Sequence, residues 1–301
     1  MHRTLGEKDW ERLLGRIRDG KCTPFLGAGA CFGTLPLGRE IAEQWAKEFD
    51  FPLGEEDSTD LMRVAQFLAI DQDPMFPKER IAAQIKSVKQ QPDFKAKDEP
   101  HGILADMPLP VYITTNYDDF MVQALKDRGK KPKQEICRWN KYVKDQSSVF
   151  DDAAFDPDLT NPVVFHLHGH TQIPESIVLT EDDYLDFLVN ISRDQLLLPP
   201  RIQRALTGAS LLFIGYRIAD WNFRVLFRSL VGYLEKALYR GHVSVQIFPL
   251  GDEVVPAKRE KALEYLDKYF SKLETRVYWG SSQEFTAELR HRWEEFKNAN
   301  G

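Results

Sequence analysis

Three cysteines in 301 residues, Cys22, Cys31 and Cys137, are too few and too scattered for a disulfide framework, and no CxxC pair is present. A reducing, cytoplasmic setting is therefore expected. Long apolar runs are missing as well. Stretches such as Leu211 to Ile214 are far too short to span a bilayer, and Met1-His2-Arg3-Thr4-Leu5-Gly6 leads into a charged segment without an apolar signal core. Nor is there an excess of positive charge: 40 Lys and Arg against 46 Asp and Glu give a net charge of −6. That balance supplies no general attraction to nucleic acid or anionic lipid, so nucleic acid is expected only through a partner. The basic run Lys126, Arg128, Lys130, Lys131, Lys133 reads as a solvated loop rather than a phosphate patch. No internal repeat or low-complexity segment stands out.

What is present is an alternation of short apolar runs with amphipathic helices. Trp10, Leu13, Leu14 and Ile17 share one face of a helix over 8–19, and Gly20 ends it. Thr23 to Leu26 reads as a buried strand, followed by a helix from Leu37 to Phe49. Residues 54–100 carry helical spacing (Leu61, Val64, Ala65, Leu68; Ile81, Ile85, Val88) and no strand-like run, which predicts a helical insertion lobe. Further strands are expected at Val111 to Thr115, around Glu135 to Arg138, and at Val163 to Leu167, Ile177 to Leu179, Ser210 to Ile214, Val243 to Pro249 and Glu274 to Trp279. Helices are expected at Asp119 to Lys126, Glu181 to Val189, Asp194 to Leu206, Asp220 to Leu238, Pro256 to Lys272 and Ser282 to Lys297. This order predicts one α/β domain over 1–301: a Rossmann-like, mainly parallel sheet flanked by helices.

Such sheets bind ligands outside the carboxyl ends of their strands, and four predicted strands end in glycine or polar signatures. Gly27-Ala28-Gly29-Ala30 sits between a strand and a helix, where bare backbone and a helix N-terminus suit a pyrophosphate. Its third glycine, Gly33, comes one residue late for GxGxxG, and no ribose-binding acid follows, so taken alone it reads more readily as a tight structural turn. In Thr115-Asn116-Tyr117-Asp118, Asn116 offers both a donor and an acceptor, while Asp118 or Asn116 would also serve as a plain N-cap. His166-Leu167-His168-Gly169-His170 places alternate histidines on one strand face. A metal site of HxH type needs more ligands than His242 and His291 supply. A single base, His168, fits better. Gly215-Tyr216 leads to Asp220, Trp221 and Asn222, which could meet a base or ribose, or simply form a βα turn capped by Asp220.

Taken in order, Phe25-Leu26-Gly27-Ala28-Gly29-Ala30, Ile113-Thr114-Thr115-Asn116-Tyr117-Asp118, His168-Gly169 and Gly215-Tyr216 with Asp220 resemble the sirtuin (SIR2-like) family. The likeness runs from about Lys21 to Trp279 and is greatest to the bacterial SIR2-like domains that hydrolyse NAD in anti-phage defence. It implies that Gly27, Ala28, Gly29, Thr115, Gly215, Asp220 and Asn222 hold NAD+, and that Asn116, Asp118 and His168 do the chemistry without a metal. The departures matter too. The four-cysteine zinc module of deacetylating sirtuins cannot be built here, Cys31 stands where that family has Ser, and Thr115 stands where deacetylases have Gln. These differences favour NAD+ cleavage over acyl-lysine chemistry. A module that holds NAD or ADP-ribose without turnover, and a zinc-free deacylase or ADP-ribosyltransferase, remain the alternatives. The resemblance further implies self-association, or a sensor or ATPase partner.

Overall fold

Among the described residues seven short strands form one parallel sheet. The computed structural model describes residues 5–194, 197–216, 242–246, 256–272 and 274–300. The strands are β1 (Cys22–Leu26), β2 (Val111–Thr114), β3 (Lys133–Ile136), β4 (Val163–His166), β5 (Ser210–Ile214), β6 (His242–Gln246) and β7 (Thr275–Trp279). They lie in the order β3-β4-β2-β1-β5-β6-β7, and every neighbouring pair is parallel. From β1 the chain builds outward to β2 on one side and to β5 on the other. A ligand crevice is therefore expected over the carboxyl ends of β1 and β5.

Both faces of the sheet are covered, as parallel sheets require. Alternation along β1 shows how: Cys22 and Leu26 enter one core while Phe25 enters the opposite one. The first core is closed by α1 (Glu7–Arg18), α6 (Pro100–Ala105), α7 (Phe120–Asp127) and α11 (Ser282–Asn300). The second is closed by α8 (Glu181–Arg193), α9 (Pro200–Gly208) and α10 (Pro256–Ser271). Among the described residues no helix is long and apolar enough to cross a membrane.

Residues 54–100 hold α3 (Glu55–Ser58), α4 (Leu61–Asp71) and α5 (Phe76–Ser87). With α2 (Gly38–Glu48) they bury Trp45, Val64, Leu68 and Ile81 in a third core, which also takes in Ile177 and Leu179. The expected strand over those last residues does not form. Ile177 to Leu179 is irregular chain, held by Val178 N–H on the His168 carbonyl (3.0 Å) and by the Tyr117 hydroxyl on the Val178 carbonyl (2.7 Å). Ile177 and Leu179 serve the helical core and Val178 the second core of the sheet, without a ladder. The helix expected from Asp194 starts only at Pro200, because a residue followed by proline is kept out of the α region. β3 begins two residues earlier than the Glu135 expected of it. The expected helix from Asp220, and with it Asp220 and Asn222, lie outside the described residues. Arg128 and Lys130 of the basic run face inward, on Asp106 and on the Phe94 and Met107 carbonyls, so that run is not simply solvated.

Candidate active site

Two glycine turns interlock at the switch point. Gly27 N–H donates to the Ile214 carbonyl (2.9 Å), Gly29 N–H to the Gly215 carbonyl (3.0 Å) and Ala30 N–H to the Gly27 carbonyl (2.9 Å). Gly215 has φ +83°, and a Cβ on it would lie 2.6 Å from Gly27 O and against Ala30 N. A Cβ on Gly27 or Gly29 would in turn stand 2.9 Å from Gly215 atoms. The glycines thus supply close approach, and the Gly27 and Gly29 amides are spent inside the protein. Ala28 is the exposed residue of the turn, and its N–H has no partner among the described residues. The Tyr216 hydroxyl closes this end of the sheet, donating to the Leu26 carbonyl (2.7 Å) and sharing a 2.8 Å hydrogen bond with Thr115 Oγ1.

β2 delivers Asn116 beside this interlock. Its Nδ2 donates to the Gly27 carbonyl (3.1 Å) and to Cys31 Sγ (3.2 Å). The Gly27 carbonyl fixes the amide, since a flipped Asn116 would set oxygen against oxygen. Both amide hydrogens are consumed, and Oδ1 has no hydrogen-bond partner among the described residues. Asn116 is thereby turned into an acceptor. Asp118 is buried. Its Oδ1 accepts Phe120 N–H (2.9 Å) at the start of α7, and Oδ2 accepts the Cys31 thiol (3.4 Å). The N-cap position itself is taken by Asp119 and not by Asp118 or Asn116, so Asp118 supports the first turn from one residue further out. Burial, then the Asp118 charge, raises the Cys31 thiol well above its ordinary pKa, so it is a neutral donor rather than a nucleophile.

The histidines divide. His166 Nδ1 lies 3.2 Å from the Asn116 carbonyl oxygen and Nε2 lies 3.1 Å from Gln134 Nε2. An acceptor at one nitrogen and a donor at the other define the neutral Nδ1–H tautomer. His168 stands apart from Asn116, and no hydrogen bond joins them among the described residues. Its ring packs edge-on to Tyr184 and Phe187 of α8, with Nδ1 3.4 Å from the Tyr184 hydroxyl. Burial pushes both His166 and His168 down to about 3, so both rings are neutral. Among the described residues Nε2 of His168 is buried without a partner, as is Nε2 of His170. After His168 the chain folds back tightly: Gly169 has φ +85°, and a Cβ there would collide with Ser176.

The motifs did not single out Glu99, His101 or the contacts of Cys31. A ring nitrogen of His101, a carboxylate oxygen of Asp118 and Cys31 Sγ lie within 4.8 Å of one another, all buried. Glu99 Oε1 is 2.6 Å from His101 Nδ1. The only sequence signal was Glu99-Pro100-His101 at a helix start, which reads equally well as a cap.

A family model for the SIR2-like domain matches residues 110–273, more than half of the 301. NAD(+) hydrolase ThsA of Acinetobacter baumannii (strain 532279) is 24% identical over 217 residues, covering 70% of this chain and 39% of that protein. NAD(+) hydrolase ThsA of Cytobacillus dafuensis is 27% identical over 215 residues, 70% of this chain and 38% of that protein. The protein of that name from Bacillus cereus (strain MSX-D12) is 26% identical over 171 residues, 56% of this chain and 31% of its own. The chain therefore spans about two fifths of the length of the first two curated relatives. The family match takes in Thr115, Asn116, Asp118, His168 and Gly215, whereas the Gly27 turn lies before it. A parallel sheet with polar strand ends around its switch point agrees with that match, and the chain belongs to the SIR2-like domain family.

Proposed function

We propose that this chain cleaves the nicotinamide–ribose bond of NAD+, giving nicotinamide and ADP-ribose, as a regulated effector of bacterial anti-phage defence that depletes NAD+. The observation that carries the reading is the Asn116 amide. Its hydrogens are locked onto Gly27 and Cys31, and among the described residues its side-chain carbonyl is left unpartnered at the β1–β5 switch point. The name NAD(+) hydrolase borne by the relatives supports it.

In this reading the dinucleotide lies over the carboxyl ends of β1, β2 and β5. Ala28, shaped by Gly27 and Gly29, meets the pyrophosphate, and Thr115 and Gly215 line the crevice; the assignment of Asp220 and Asn222 to NAD+ rests on the family resemblance alone. As the C–N bond breaks, its electron pair leaves with nicotinamide and the ribose becomes oxocarbenium-like. The buried Asp118 carboxylate opposes that charge. Asn116 Oδ1 orients the attacking water or a ribose hydroxyl, the water oxygen bonds to the ribose carbon, and the proton goes to a base. His168 is that base: its neutral imidazole has a buried Nε2 with no partner among the described residues, as a group awaiting a polar partner would. Positioned acid–base help of this kind contributes about 10²–10⁴-fold. Regulation resides in self-association, or in a sensor or ATPase partner.

A binding-only module is the second reading, favoured by the separation of His168 from Asn116. Incubating the chain with NAD+ and quantifying nicotinamide and ADP-ribose separates the two. Equimolar products support hydrolysis. Saturable NAD+ binding without products, even beside a candidate partner, supports the module.

A further inference from the structure

The loop ahead of α6 is pinned from outside. Arg128 Nη2 donates to the Phe94 carbonyl (2.8 Å), and Arg290 donates to the Ala96 and Lys97 carbonyls (3.3 Å each). So held, the loop inserts Glu99 and His101 beneath the Asn116 network. Glu99 caps α6 through Gly102 N–H (2.5 Å) and turns its other oxygen to His101 Nδ1 (2.6 Å). His101 is buried and stands edge-on to the Phe120 ring. The groups facing it are Glu99 from its own segment, Asp118 from the turn after β2, and Cys31 from the turn after β1.

We propose that His101 is a positioning residue of the Asn116 site: as an imidazolium between Glu99 and Asp118 it holds the Asp118 carboxylate against the Cys31 thiol, and that pair fixes the Asn116 amide. His101 faces Asp118 across a gap of no more than 4.8 Å, and from Asp118 onward the side chains are joined by hydrogen bonds. Cys31 gives its proton to Asp118 Oδ2 and so keeps sulfur lone pairs for an Asn116 amide hydrogen. Asn116 Oδ1 is then held toward the crevice. A neutral ring at position 101 would leave two carboxylates buried together with no cation between them, a costly arrangement. Burial alone disfavours the imidazolium, but the Glu99 hydrogen bond and charge, with the Asp118 charge, outweigh it and raise His101 above its usual range. The protonated form is present below that raised value and is lost as pH rises through it. Positioning of Asn116 should therefore fail on the alkaline side.

The test is side-chain 15N NMR of the full chain across pH, reading the His101 ring and the Asn116 amide together. His101 should titrate with a midpoint above 6.5, and the Asn116 amide resonances should move with that midpoint. Glu99→Gln keeps the shape and removes the charge, so both midpoints should fall together by about 1–2 units. In Cys31→Ala the His101 titration should persist while Asn116 stops following it. A neutral His101 at pH 7, or an Asn116 amide indifferent to the His101 titration, overturns the proposal.

The kinetic arm rests on the hydrolase reading. Glu99→Gln should lose roughly tenfold in kcat at pH 8 and recover at pH 6, with KM nearly unchanged. A loss that is equal at every pH marks a merely structural role and overturns the proposal. A wild-type chain that releases no nicotinamide at any pH sinks the hydrolase reading alone, because the spectra still decide the role of His101.

Discussion

Gly215→Ala perturbs the interlock on which the site is built. At φ +83° an alanine bears the left-handed penalty of about 1–2 kcal/mol. Its methyl would also stand 2.6 Å from Gly27 O and against Ala30 N, both backbone atoms with no rotamer to change. Relief requires the two turns to part, which loosens the Gly27–Ile214 and Gly29–Gly215 hydrogen bonds, each worth about 0.5–1.5 kcal/mol. The sum is about 2–5 kcal/mol. At about 2–4 °C per kcal/mol, the thermal midpoint should drop by about 4–20 °C. Gly129→Ala is the matched control: φ is +73°, but nothing lies within 4 Å of its Cβ. It carries the backbone penalty without the collision. Differential scanning calorimetry of the two variants isolates the interlock. Equal midpoints for Gly215→Ala and Gly129→Ala would refute the reasoning, because the close approach would then cost nothing.

Stability should fall on acidification. Burial holds His166 and His168 neutral, pushed from 6.5 to about 3, whereas the unfolded chain binds those protons near 6.5. Their stabilising contribution is complete above about 6.5 and shrinks as pH falls toward 3, on the order of 2 kcal/mol per histidine by pH 5. His101, shifted upward, acts in the opposite sense, losing its contribution as pH rises. Urea midpoints at pH 7 and pH 5 check the balance, and an unchanged midpoint would count against buried neutral histidines. Lys78→Met should destabilise by about 3–5 kcal/mol in chemical denaturation, because Lys78 and Asp183 form a buried 2.6 Å ion pair between α5 and α8. That pair braces the segment after His168, so nicotinamide release should fall with it.

Much of the candidate site's placement was legible because its parts close apolar strands with glycine or polar residues, a local signal. Gly27, Thr115, Asn116 and Gly215 were visible for that reason, and the structure brings them to one end of the sheet. Ile177 to Leu179 misled because three apolar residues read the same whether they meet a ladder or a helical core. The helix expected from Asp194 ignored Pro199-Pro200, a signal that was present. Glu99 and His101 were hidden for a different reason. Their meaning depends on Asp118 and Cys31, residues distant in sequence that only the sheet order brings beside them. The same non-locality conceals the turn amides: a glycine triplet shows that backbone can approach something closely, but not that the partner is the Gly215 turn.

The most direct measurement is nicotinamide release from NAD+ by the wild-type chain, Asn116→Ala and His168→Ala, with NAD+ binding followed by calorimetry on the same preparations. The account predicts turnover in the wild type, a loss of at least about 100-fold in each variant, and binding retained in both. Undiminished turnover in the two variants would contradict it.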